Sequence, residues 1–221
     1  MAVHSSAAQL IERIASQFDG RWRQGYVRGK LRSDPIFAAA FELLKDSALP
    51  VLDVGCGLGL FEFYLREHGF APPLVGLDFD AGKIAEARRV AARHYREVTF
   101  TVGDVLAAGG FCGHVVLFDV LHYLPAERQA VVLDHLAGQV APGGLCLIRA
   151  TPRDGSWRFR VTQCEELFLR ASQWMKSRAR HYATFEEIVA PFRARGFSCE
   201  ARPLWGRTPF NSHLFVFRAS C

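Results

Sequence analysis

The chain has 221 residues, a net charge of +5 and a pI near 9.0. Half of its residues are hydrophobic and 22% are charged, which supports a packed core and excludes a disordered chain. No apolar run approaches the roughly 20 residues of a membrane span, and the first residues lack the basic start and apolar stretch of a secretion signal, so a cytoplasmic location is expected.

In chain order, Leu10, Ile11, Ile14 and Phe18 fall at helical spacing over residues 7–18. Residues 21–30 are basic, with Trp22 and Tyr26 interleaved. Ser33, Asp34 and Pro35 read as the cap and first turn of a helix running to about Leu44. From Pro50 the rhythm changes. Short apolar strands at 51–54, 73–77, 98–102, 114–118 and 144–148 alternate with helices at about 60–68, 81–94 and 125–136. That alternation predicts an α/β fold of parallel βαβ units, with helices on both faces of the sheet. Beyond Thr151 the alternation breaks. Residues 156–176 read as an inserted helical segment with Trp157, Phe159, Leu167, Phe168 and Trp174. Thr184 and Glu187 have capping-box spacing, opening a helix that Gly196 stops. Residues 197–203 and 213–217 read as a terminal pair of antiparallel strands.

Six cysteines are present, without a C-x-x-C pair or a Cys/His cluster of zinc spacing, so no metal site is expected. Cys146 and Cys199 lie in strand-like apolar runs and are expected to be buried reduced thiols. Residues 151–221 carry 12 Lys+Arg against 6 Asp+Glu, so the positive excess belongs to the C-terminal third. A nucleic-acid footprint, a mouth for anionic substrates and a solvated surface all fit this excess, and the lack of a dense basic tract disfavours the first.

The most informative stretch is Val51-Leu52-Asp53-Val54-Gly55-Cys56-Gly57-Leu58-Gly59-Leu60. A strand runs into three alternate glycines, and a helix begins at once. Glycine permits the turn and lets a ligand lie on bare backbone, while the helix start offers N–H groups to a carboxylate or phosphate. The spacing is G-x-G-x-G, unlike the G-x-G-x-x-G of dinucleotide sites, which disfavours a nicotinamide-dependent reductase. Asp53 precedes the first glycine, Asp78 ends the next strand where a ribose diol would be held, and Asp104 follows the third strand.

These segments, with Gly76-Leu77-Asp78-Phe79, Gly103-Asp104-Val105, Phe118-Asp119-Val120-Leu121-His122-Tyr123-Leu124 and Pro142-Gly143-Gly144, resemble the ordered motifs of class I S-adenosylmethionine-dependent methyltransferases across about residues 49–150. The resemblance implies a Rossmann-like, doubly wound, seven-stranded sheet, mostly parallel with an antiparallel last strand. It implies S-adenosyl-L-methionine as cofactor and S-adenosyl-L-homocysteine as product. Gly55, Cys56, Gly57 and Gly59 would pass under the methionine part, with Asp53 near its ammonium group or ordering the loop. Asp78 would hold the ribose hydroxyls and Phe79 one adenine face. Asp104 would accept from the adenine amino group beside Val105. Phe118 and Asp119 would line the pocket near the sulfonium. His122 would be the candidate general base, with Tyr123 touching substrate. Tyr26, Arg28 and Lys30 precede the core as lid residues do, and Tyr26 would touch the cofactor. One departure stands out: the fourth strand often opens with an acid, where this chain has Gly113-His114.

The implied plan is a helical lid at 1–47 and a methyltransferase core at 48–221, with an acceptor-site insertion at about 152–182. There Arg149, Arg153, Trp157, Arg158, Phe159 and Arg160 mix aromatic surface with positive charge. They suit a small-molecule or carrier-bound acyl or aromatic acceptor, methylated on oxygen or aromatic carbon in secondary metabolism. The run from Tyr26 to Lys30 with Ser33-Asp34-Pro35 is similar to methyltransferases of aryl-polyene and related acyl-pigment pathways. A nucleic-acid methyltransferase and a non-catalytic S-adenosylmethionine-binding protein are the alternatives. The first is disfavoured because Phe118-Asp119-Val120-Leu121 replaces the Asn/Asp-Pro-Pro-Tyr/Phe motif of amino-methylating enzymes.

Overall fold

The computed structural model describes residues 6–107, 109–171, 179–206 and 208–219, and of 107 and 165–171 the backbone alone. The chain falls into two compact units, Met1–Asp104 and Val105–Cys221.

The first unit opens with α1 (Ala7–Ser16), α2 (Arg21–Ser33) and α3 (Ile36–Leu44). Helix α1 starts at a full capping box, with the Ser6 hydroxyl accepting from the Gln9 amide and the Gln9 side chain accepting from the Ser6 amide. Its apolar stripe, Leu10, Ile11 and Ile14, is buried, as the spacing predicts. Residues 21–30 belong to α2, whose buried side is only Val27 and Leu31, so the basic and aromatic residues face outward. The Asp34 carboxylate accepts the Ile36 amide at the head of α3.

Three parallel strands follow with their helices: β1 (Val51–Val54), α4 (Leu60–Glu67), β2 (Leu74–Asp78), α5 (Ala81–His94) and β3 (Val98–Val102). Their order is β3-β2-β1, and Asp53 of β1 lies in register with Gly76 of β2, which pairs with Phe100 of β3. Phe63 of α4 is fully buried and packs against Phe18, Tyr95 and Phe100, tying the helical start of the chain to the strands. The Arg66 side chain donates to the carbonyls of Phe70, Pro72, Arg96 and Glu97, closing the far end of the unit.

The second unit holds β4 (His114–Phe118), α6 (Ala126–Ala137), β5 (Leu145–Ala150), α7 (Trp157–Ala171), α8 (Phe185–Ala194), β6 (Ser198–Pro203) and β7 (His213–Arg218). Strand order is β4-β5-β7-β6, with β4 parallel to β5 and β7 antiparallel to both neighbours. Strands β4, β5 and β7 are almost wholly buried, whereas β6 is an exposed edge. Cys146 on β5 is therefore buried as expected, but Cys199 on β6 is exposed, a correction to the sequence reading. The apolar run around Cys199 reads as a core strand, yet insertion of β7 between β5 and β6 leaves it on the rim. Helix α8 has the predicted capping box between Thr184 and Glu187, and Gly196 ends it with a φ of 80°. Trp174 lies outside the described residues, as do the side chains of Leu167 and Phe168.

Candidate functional site

In the first unit the turn after β1 takes its shape from glycine. Gly55, Gly57 and Gly59 have φ of 80°, 58° and 74°, the left-handed region that L side chains avoid. The start of the loop is fixed by the sheet, since the Gly55 and Cys56 amides both donate to the Leu77 carbonyl. The glycines then differ. A Cβ on Gly57 would meet nothing within 4 Å, so bare backbone there faces open space. A Cβ on Gly59 would stand 2.4 Å from the Phe100 ring, so Gly59 is needed for packing as well as for its backbone angle.

Asp78 sits at the end of β2 and is 6% exposed. One carboxylate oxygen accepts the Gly57 amide at 2.9 Å, and the other accepts the Asp80 amide at 2.8 Å. The glycine turn and the acid at the end of the neighbouring strand are thus one hydrogen-bonded assembly. A carboxylate has about four acceptor positions, so each oxygen keeps capacity for a further donor. Asp53 is buried beneath the turn. Burial, then the nearby Asp78 charge, pushes its carboxyl up to about 8. Burial pushes the Cys56 thiol far above its usual range, which leaves it neutral. Phe79 is 76% exposed and Tyr26, stacked on Trp22, is 47% exposed, so both offer aromatic faces to solvent. Asp104 is exposed at the end of this unit.

Sequence reasoning missed one residue here. Glu62, in the first turn of α4, is 1% exposed and stands over Gly76, where a Cβ would lie 2.5 Å from its Oε1. An acid at that position of an amphipathic helix reads as a solvated partner of the helix N-terminus. Only the fold turns it inward.

In the second unit Val105 is buried and Phe118 half-buried at the end of β4. Asp119 follows with a φ of 59°, an uncommon angle for a residue with a side chain. Its carboxylate pairs with the buried guanidinium of Arg149 on β5, and its amide donates to the Arg149 carbonyl. His122 and Tyr123 lie in a 3-10 turn, Leu121–Tyr123. The His122 ring stacks on Tyr182 at 5.6 Å with 10° between planes, and Phe159 meets Tyr182 edge-on at 5.3 Å. Gln129 fastens this wall. Its buried side-chain amide lies within hydrogen-bond distance of the carbonyls of Leu121, Leu124 and His181, and the His122 carbonyl accepts the Arg180 amide.

The six residues grouped as an acceptor mouth have different local partners. Phe159 joins the stack, and Arg149 is engaged by Asp119. The Arg158 guanidinium lies between the Trp157 and Trp205 rings, at 4.7 and 4.1 Å, and donates to the Thr208 carbonyl. Arg153 and Arg160 are exposed. His114 also finds a role: its Nδ1 accepts the Leu145 amide at 3.0 Å, so a neutral imidazole joins the starts of β4 and β5.

Residues 21–201 match the family model described as Methyltransferase domain. The chain belongs to that family. Ribosomal protein L11 methyltransferase of Burkholderia ambifaria is 34% identical over 115 residues, 51% of this chain and 36% of that protein. The chain thus spans about a third of the length of the curated relatives it matches. Among solved structures, an O-methyltransferase family protein from Burkholderia thailandensis superposes with a TM-score of 0.65 at 20% identity, covering 93% of this chain and 62% of that one. Magnesium protoporphyrin IX methyltransferase from Synechocystis PCC 6803, solved with bound SAH, gives 0.63 at 18% identity over 100% of this chain and 90% of that one. The fold is accordingly the Rossmann-like one of methyltransferases, a seven-stranded mixed sheet whose last strand is antiparallel.

Proposed function

We propose that the chain transfers the methyl group of S-adenosylmethionine to a small-molecule acceptor, at oxygen or an aromatic carbon. The observation that carries this reading is the 55–59 turn, with left-handed glycines, open space over Gly57 and the buried Asp78 carboxylate bonded to the same backbone. In this reading Gly55, Cys56 and Gly57 lie along the methionine part, Asp78 takes the ribose hydroxyls, Phe79 covers the adenine, and Asp104 accepts from its amino group. Gly59 holds the turn to α4. Tyr26 closes over the cofactor, and Val105, Phe118 and Asp119 keep the roles that the resemblance gives them.

S-adenosylmethionine supplies an electrophilic methyl on a sulfonium. The chain's work is to orient the acceptor in line behind it and to exclude water. His122, held by its backbone and stacked on Tyr182, is the candidate to take a proton from a hydroxyl acceptor. The aromatic wall of His122, Tyr182 and Phe159 favours an aromatic or acyl acceptor over a polar one. A protein acceptor is the second reading, favoured by the L11 methyltransferase relatives.

Calorimetry with S-adenosylhomocysteine tests the cofactor site, and Asp78→Ala is expected to weaken binding by about 1.5–3 kcal/mol, the loss of charge-assisted hydrogen bonds. Unchanged affinity removes Asp78 from the site. Transfer of labelled methyl to a panel of phenols and acyl acceptors, beside ribosomal protein L11, tests the acceptor. Label on L11 alone overturns the small-molecule reading.

A further inference from the structure

Asp53 and Gly76 are register partners on adjacent strands, so their side-chain positions share one face of β1 and β2. Asp78 lies two residues beyond Gly76 and so falls on that face as well. Because Gly76 has no side chain, the Glu62 carboxyl descends from α4 into the space above it. Three carboxyls thus converge beneath the glycine turn. Cys56 in the turn is a neutral thiol, and β3 contributes the uncharged Phe100. Among the described residues, no basic side chain acts on Glu62 or Asp53.

Glu62 is the informative member. Among the described residues, no other group donates to either of its oxygens, its own backbone amide alone lying close, although it is 1% exposed. The group it meets is the Asp53 carboxyl, and two carboxyls bond only when one of them carries a proton. Burial first, and the Asp53 charge second, hold Glu62 well above the ordinary carboxylate range. An isolated buried carboxylate would be far costlier than a shared proton.

We propose that Asp53 and Glu62 hold one proton between them under the glycine turn and release it to solvent when the cationic end of the cofactor arrives. This rests on the reading of that turn as the S-adenosylmethionine site. The balance is simple: a cation enters beside the pair, a proton leaves it, and the pair gains one negative charge to match. Glu62 is a positioning residue in this scheme, acting through Asp53. Its role in the folded protein without cofactor is to keep three acids compatible with burial.

The experiment is titration of the full chain with S-adenosylhomocysteine in two buffers at one pH, phosphate and Tris, which differ in ionisation heat. The wild type is expected to release between about half a proton and one proton per ligand, read from the difference in heats. Its affinity is expected to rise by up to about tenfold per pH unit from pH 6 to 7.5. Glu62→Gln places a permanent donor opposite Asp53 and is expected to abolish the buffer dependence and flatten the pH profile, with binding retained. Equal heats for the wild type in both buffers overturn the inference while leaving the cofactor reading intact. The same release in Glu62→Gln as in wild type does so too. Absence of binding overturns both. The wild-type measurement decides the matter alone if Glu62→Gln does not fold.

Discussion

His114 shows how one buried side chain alters the response to pH. Its imidazole is 2% exposed, and burial lowers its pKa to about 4 from an ordinary 6.5. The unfolded chain therefore takes up a proton below pH 6.5 that the folded chain refuses. The stabilisation is complete above pH 6.5 and is lost as pH falls toward 4. The Asp53 carboxyl has the opposite sign: its pKa is raised, so its contribution is complete below about 4 and is lost as pH rises toward about 8. The variant His114→Asn keeps an acceptor for the Leu145 amide but cannot titrate. Between pH 7 and 5 the wild type is expected to lose about 1 kcal/mol more than this variant, after allowance for solvent screening. That is roughly 2–4 °C in Tm, measured by thermal melts of both proteins at the two pH values. Equal shifts would show that the Leu145 contact matters for geometry alone.

At the scale of elements, the second unit depends on a fastening that joins a 3-10 turn, a helix and an extended segment. Gln129 of α6 is 4% exposed and serves the carbonyls of Leu121, Leu124 and His181 with one side-chain amide. The turn that carries His122 and the segment that carries Tyr182 both hang on it. Gln129→Leu keeps the volume but takes the side-chain donor from the Leu124 and His181 carbonyls, while Leu121 keeps the Leu124 amide. A stability loss of about 1–3 kcal/mol is expected by denaturant unfolding. Turnover should fall as well, because the His122–Tyr182 stack loosens, while the affinity for S-adenosylhomocysteine stays near wild type. His122→Ala is the reference for that split: it is expected to lower turnover with cofactor affinity and stability nearly intact. If Gln129→Leu lowers stability and leaves turnover alone, the stack is not part of the acceptor wall.

At the scale of the whole chain, much of the fold is legible in the residues. Helix α5 and strands β1, β3 and β4 lie where periodicity puts them, because each has a strong pattern between clear glycine or polar breaks. The glycine turn and its acids are legible for the same reason: backbone angle and strand-end position are local properties. Glu62 and Gln129 are not. Each sits on an amphipathic helix where a polar side chain normally faces water, and only the packing of that helix on its strands reverses the reading. Cys199 fails for a related cause, since an edge strand differs from a core strand by its neighbours rather than by its sequence.

The charge of the C-terminal third belongs to this scale as well. Its 12 Lys+Arg include side chains already engaged within the unit. Arg195 pairs with Asp134 of α6 at 2.6 Å, Arg193 pairs with Glu186 along α8, and Arg158 is held between two tryptophans. Cations tied to partners in this way are less available to a phosphate backbone, which favours diffuse surface charge over a built interface. Binding of a structured RNA is therefore expected to be weak, with a dissociation constant of about 10⁻⁵ M or higher at 150 mM salt, and similar for unrelated sequences. Fluorescence anisotropy across a salt series checks this. A sub-micromolar complex with one RNA and a hundredfold weaker one with others would show a built interface, and would move the acceptor from a small molecule to a nucleic acid.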